Sequence, residues 1–182
     1  MKVLSRIILI TFKISRRLLM LFFKPMFKKI GKNVVFSPFD SFSYSNIEIG
    51  NNVSISSGAH FSSIKSIYIG DKVMFGPNVT ILGGDHNVSE LGKYMFDVNN
   101  KKPEDDLDII IEDDVWISSG VTILKGVTIG RGSIIGASAL VNKSIPPNSI
   151  AVGIPAKVIK DRFNETELKK HLNLLKSLNS KR

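Results

Sequence analysis

The chain has three histidines, one tryptophan and no cysteine, and that short inventory frames its chemistry. Without thiols there is no disulfide, no cysteine metal ligand and no sulfur nucleophile. His86 follows Gly83-Gly84-Asp85 and opens a polar stretch, residues 84–108, that carries Asn99, Asn100, Lys101, Lys102, Pro103 and adjacent acids. An imidazole titrates near neutral pH and can take the proton of a hydroxyl, which is a poor nucleophile until that proton is leaving. A lone histidine is most often a surface residue, so the weight here lies in its position. Asp85, Asp113 and Asp114 are candidates to orient it, and Asp85 is also a candidate for contacting an acceptor. A zinc site would need three ligands to converge. His60 ends a repeat unit and His171 stands in the tail, so no metal is expected.

The element that must position His86 is a repeat. Apolar residues recur every six positions: Ile49, Ile55, Phe61; after a two-residue slip Ile69, Phe75, Ile81; then Ile111, Ile117, Ile123, Ile129, Ile135, Val141. The following residue is often small, and a small or β-branched residue commonly stands four positions on. A period of six fits neither a helix nor a plain amphipathic strand. It fits a short strand plus a tight turn, with three such units closing one coil of a prism. The expectation is an all-β parallel solenoid of four clear coils, with residues 30–48 adding a less regular fifth. The repeat stops after Ile81 and restarts at Ile111, and a long excursion of this kind from a compact solenoid is usually functional. Gly120, Gly126, Gly132 and Ser138 are read as small corner residues, forming a smooth groove along which a slender ligand can lie.

The motifs Gly83-Gly84-Asp85-His86, Ile111-Glu112-Asp113-Asp114-Val115-Trp116-Ile117, Gly126-Val127-Thr128-Ile129-Gly130 and the run from Ile145 to Ile159 resemble the hexapeptide-repeat acyltransferases. The similarity covers roughly residues 30–162 and is nearest to the maltose, galactoside and colanic-acid-type sugar O-acetyltransferases. The resemblance implies a left-handed coil, a homotrimer with sites between subunits, and transfer of acetyl from acetyl-CoA to a sugar hydroxyl, with His86 as general base. It implies that Trp116 packs near the thioester and that the Ser119 amide faces the developing oxyanion. It also implies that Gly153-Ile154-Pro155-Ala156-Lys157 borders the adenine and phosphate end of CoA. Cofactor contacts are therefore expected at Trp116, Ser119, Gly120, Ala137, Ser138, Pro155, Ala156 and Lys157, with Lys160 a further phosphate partner. Two departures stand out. Ser118 replaces the usual glycine after Trp-Ile, and Ser56 occupies the place of an acceptor-contacting asparagine in galactoside-type relatives. Ser56 remains the expected acceptor contact, for an acceptor that the sequence does not name.

The net charge of +9 invites a nucleic-acid reading, but its distribution opposes one. Residues 1–29 hold eight Lys or Arg and no acid, whereas the rest is nearly neutral. Lys2, Arg6, Lys13, Arg17, Lys24 and Lys28 make one basic stripe on a helix, with apolar residues over much of the remaining surface and Pro25 ending the helix near Lys24. The apolar face either meets an anionic membrane surface or packs on the protein's own core or a neighbouring subunit. Charges interrupt it too often for a span or a secretory signal.

The expected organisation is a basic arm at 1–29, the solenoid at 30–162 with its excursion at 84–108, and a helix at 163–182. In that helix Asn164 caps with Glu167, and Leu168, Leu172, Leu175 and Leu178 form a stripe. The expected location is cytoplasmic, at the inner membrane surface, with a lipid-linked oligosaccharide or sugar as acceptor and a role in surface polysaccharide synthesis. N-acetylation of an amino sugar, use of another acyl-CoA, and a non-catalytic scaffold are the competing readings.

Overall fold

A computed structural model of the chain describes residues 2–179 of the 182. The hexads wind into a three-faced prism of parallel strands. The first face stacks Lys29–Ile30, Ile47–Ile49, Ile67–Ile69, Ile109–Ile111 and Thr128–Ile129. The second stacks Ser54–Ile55, Met74–Phe75, Trp116–Ile117, Ile134–Ile135 and Ser149–Val152. The third stacks Ser41–Phe42, His60–Ser62, Thr80–Leu82, Thr122–Leu124 and Leu140–Val141. Five coils are complete, and bridging of Ile145 to Ile129 begins a sixth. The irregular stretch after Ile30 is thus a full coil. The sixth turn, which the periodicity did not announce, closes with Lys157–Asp161 folded back antiparallel on Ser149–Val152.

Each hexad sends two side chains inward, the aliphatic residue of the series and the one four positions after it. Val115, Ile117, Val121, Ile123 and Ile129 are all at most 1% exposed as a result. Burial of such columns is the main stabilising term of a solenoid, whose coils touch only their neighbours. Two aligned inward positions are polar, Ser133 and Ser149: the Ser133 Oγ donates to the Pro146 carbonyl at 2.8 Å and accepts the Ser149 amide at 3.2 Å, and the Ser149 Oγ donates to the Pro147 carbonyl at 3.3 Å, so their burial is compensated. Toward the N-terminal end the column turns aromatic. Phe27, Phe42, Phe61 and Phe75 follow one another in tilted and edge-to-face contacts, with centroid separations of 5.3–5.7 Å.

The chain turns its corners three residues after the inward aliphatic. Asn52, Asn78, Asp114 and Asn148 adopt φ of 57–58°, a left-handed conformation that Asn and Asp tolerate better than other side-chain-bearing residues. Side-chain amides and carboxylates then stitch one coil to the next. The Asn33 amide donates to Asn52 Oδ1 at 3.0 Å, and Asp113 Oδ1 accepts the Asp71 amide at 2.8 Å.

Helix α1 (Lys2–Phe23) ends where Pro25 was expected to stop it. It touches the solenoid through Met20 and Phe23, with Phe23 stacked on Tyr44 at 5.9 Å and Phe12 on Phe39 at 6.2 Å. The broad apolar face does not pack on the chain's own core. Helix α2 (Glu165–Asn179) begins with the expected reciprocal cap: the Asn164 amide donates to Glu167 Oε2 at 3.0 Å, and the Glu167 amide to Asn164 Oδ1 at 2.9 Å. Its Leu168, Leu172 and Leu175 line an open groove against the polar corner at Asn51, Asn52 and Lys72. The anchoring comes from Arg162, whose guanidinium lies 2.8 Å from Asp114, and from the Phe163–His171 ring contact.

Candidate active site

The chain leaves the prism after Thr80–Leu82, at the corner between the third and first faces. Gly83 and Gly84 are needed there for close approach. A Cβ on Gly83 would overlap the Ser63 side chain, and one on Gly84 would overlap Asp106 Oδ1. Both ends of the excursion are then tied side by side. Gly84 bridges antiparallel to Asp106, and the Asp85 amide donates to the Asp105 carbonyl at 2.7 Å. Lys125 reaches in from the fourth coil. Its ammonium sits 2.8 Å from Asp85 Oδ2, and donates to the Glu104 carbonyl at 2.8 Å and the Asp105 carbonyl at 3.2 Å. A second ammonium, Lys101, pairs with Asp106 at 2.8 Å.

His86 stands exposed just beyond this clamp, followed by buried Asn87, whose Oδ1 accepts from the Ser89 amide and hydroxyl. Farther out, Leu91, Tyr94 and Phe96 are almost wholly exposed, at 96%, 83% and 94%. Among the described residues no carboxylate bonds to His86. Asp85 is held by Lys125. Asp113 pairs with Arg131 at 3.0 Å and Asp114 with Arg162 at 2.8 Å, both at the corner between the first and second faces. These two acids serve the coil, because the excursion returns to the first face before either is reached.

The expected cofactor contacts share another corner. Trp116 opens the strand Trp116–Ile117 on the second face, not a small turn position, and projects outward between Met74 and Ile134 of the flanking coils. About half of Met74 and of Trp116 is exposed, at 52% and 46%. The chain then turns toward the third face through Ser119-Gly120 in the fourth coil, Ala137-Ser138 in the fifth and Ile154-Pro155-Ala156 in the last. The ridge is continuous. The Ser138 amide donates to the Ser119 carbonyl at 2.9 Å, the Ala156 amide to the Leu140 carbonyl at 2.8 Å, and Lys157 starts the return strand at its far end. Ser56 lies on the same corner two coils earlier. The Ser119 amide has no acceptor among the described residues, a property shared with Ala137 on the next coil. Gly76 leaves it uncovered, since a Cβ there would come within 2.6 Å of that nitrogen.

The four-residue groove read from spacing needs correction. Gly120 and Ser138 share this ridge, whereas Gly126 faces Leu107 at the excursion corner and Gly132 faces Arg162 and Asp114 at the third corner. A hexad step moves to the next face, so only residues a whole coil apart lie on one line. Lys125 and Met74 were not legible as site residues at all. Both become neighbours of His86 or Trp116 only through coil stacking.

Among the described residues, no group of three or more His, Cys, Asp or Glu side chains is placed to hold a metal ion. His60 faces outward on the third face, His86 stands at the excursion corner and His171 sits in α2.

Residues 108–143 match the family described as bacterial transferase hexapeptide (six repeats). Over 149 residues the chain is 34% identical to a galactoside O-acetyltransferase of Lactococcus lactis subsp. lactis (strain IL1403), covering 80% of this chain and 68% of that protein. The chain belongs to the hexapeptide-repeat acyltransferases. Among solved members, a galactoside acetyltransferase in complex with coenzyme A superposes with a TM-score of 0.66 at 36% identity, covering 79% of this chain and 70% of that one. A hexapeptide-repeat acetyltransferase of Vibrio cholerae O1 biovar eltor, complexed with acetyl coenzyme A, gives 0.69 at 27% identity over 78% and 74%. In this acyltransferase the histidine corner and the tryptophan ridge are separate edges of one prism.

Proposed function

We propose that this acyltransferase moves acetyl from acetyl-CoA to a hydroxyl of a sugar acceptor in surface polysaccharide synthesis. His86 is the general base and a homotrimer is the working unit. The chain divides into a basic arm at 1–29, the catalytic solenoid at 30–162 and a tail at 163–182 that contains α2 (Glu165–Asn179). The observation that carries the reading is the exposed ridge of Trp116, Ser119-Gly120, Ala137-Ser138 and Pro155-Ala156, capped by Lys157, on consecutive coils. Small residues let a pantetheine arm approach backbone amides, the indole supplies an apolar wall at one end, and Lys157 supplies a cation for phosphate at the other. The solved neighbours in complex with coenzyme A or acetyl coenzyme A support this assignment.

The chemistry balances without a metal. His86 removes the acceptor's hydroxyl proton as the oxygen attacks the thioester carbon. The C–O bond forms, the C–S bond breaks, and the proton passes to the leaving thiolate. A backbone donor such as the Ser119 amide stabilises the intermediate oxyanion. His86 and the ridge occupy different corners, so the reacting groups meet when the ridge of one subunit faces the His86 of its neighbour. Ser56, on the ridge, and Asp85, beside His86, then flank the acceptor from the two chains. An acceptor carried on a membrane lipid suits the acid-free arm.

The test is acetyl-CoA turnover with a panel of sugars and lipid-linked oligosaccharides, with products identified by mass spectrometry. His86→Ala is expected to lower turnover by roughly 10²–10⁴-fold while CoA still binds. Equal turnover by wild type and variant would refute the base. Acetyl found on nitrogen would favour the amino-sugar reading, and no turnover with any acceptor the scaffold reading.

A further inference from the structure

The solenoid takes up one side of α1 and leaves the opposite side bare. Phe12, Met20 and Phe23 meet the prism, through Phe39, the core and Tyr44 respectively. Leu4, Ile7, Ile14, Leu18 and Leu21 repeat at helical spacing about half a turn away, and each is more than half exposed. Arg6, Lys13, Arg17 and Lys24 run along one flank of that stripe. Among the described residues none of Arg6, Lys13, Arg16 and Arg17 pairs with a carboxylate, and no acid precedes Asp40 in the chain.

We propose that α1 docks this enzyme in the plane of an anionic membrane surface, with the Leu4–Leu21 stripe in the acyl boundary and the basic flank at the headgroups. Charge selects the occupant. A second copy of α1 packed on the same stripe would bring like charges together with no acid to offset them, whereas anionic headgroups complement them. No helix of the described residues is long and apolar enough to cross a membrane, so the helix lies along the surface. The docking rests on the physical character of the arm and not on the acetyl-transfer reading, and its readout is separate from activity.

The experiment is cosedimentation of the full chain with vesicles of phosphatidylcholine alone or containing phosphatidylglycerol, across a salt series. Wild type is expected to bind the phosphatidylglycerol vesicles, to bind neutral ones weakly, and to release as salt rises. The double substitution Ile14→Glu, Leu18→Glu is expected to weaken binding by roughly tenfold or more, with oligomeric mass and circular dichroism unchanged. As a second arm, Lys13→Gln with Arg17→Gln leaves the stripe intact and is expected to weaken the anionic preference and its salt dependence. Undiminished binding by the Glu variant, equal binding of wild type to both vesicle types, or an undiminished preference of the Gln variant would each overturn the proposal. So would a drop in oligomeric mass of the Glu variant, which would make the stripe a subunit contact.

Discussion

The ammonium of Lys125 lies 2.8 Å from Asp85 Oδ2, one residue before His86. The same ammonium holds the carbonyls of Glu104 and Asp105, so a residue of the fourth coil grips the outgoing and returning strands of the excursion together. Lys125 does not sit on the tryptophan ridge. On the proposed reading of His86 as the base, Lys125 is its positioning residue, and loss of the ammonium would free the backbone that carries it.

Lys125→Met is therefore expected to lower kcat by roughly ten- to a hundredfold, the scale of a small misplacement of a catalytic group, with the KM for acetyl-CoA unchanged. Lys125→Arg, which keeps the charge and its donors, should recover part of the loss. Steady-state kinetics on the three proteins decides this. A matching loss of acetyl-CoA affinity would mean a general structural role instead.

The placement of His86 and Trp116 on different corners makes a second expectation. His86→Ala and Trp116→Ala proteins should each be nearly inactive alone. Unfolded together and reassembled at equal ratio, they should regain about a quarter of wild-type activity. In a cyclic trimer about one interface in four then joins an intact histidine from one chain to an intact tryptophan from the next. No recovery in demonstrably mixed trimers would place the whole site within one chain.

A third expectation concerns the coil. Lys72 turns its corner at φ 59°, in line with Asn52 and Asp114, which turn theirs at nearly the same angle. Lysine gains nothing from the left-handed conformation, whereas asparagine tolerates it. Lys72→Asn should raise stability by about 0.5–1 kcal/mol, visible as a higher midpoint in thermal or denaturant unfolding. An unchanged or lower midpoint would show that strain at this corner is already relieved by the neighbouring coils.

Much of the architecture was legible because its causes are local. The series Ile111 to Val141 repeats at a spacing that only a strand-and-turn unit accommodates, and Asn164 with Glu167 spells a helix start within four residues. The break at residues 84–108 marked His86 for the same reason, since a departure from a period shows along the chain itself.

What the sequence determined by itself is the periodic element, its interruption and the cap, all set by interactions between residues a few positions apart. Tertiary structure alone decided which small residues share an edge, because lateral alignment follows the coil of three hexads and not the single hexad; hence Gly120 falls in line with Ser138, and Gly126 does not. It also decided that Lys125 grips Asp85 and that α1 turns its aromatic side, not its aliphatic stripe, toward the prism. Those outcomes depend on what residues far apart in the chain meet when the coils stack, and the clamp at His86 exists only once the fourth coil lies against the excursion.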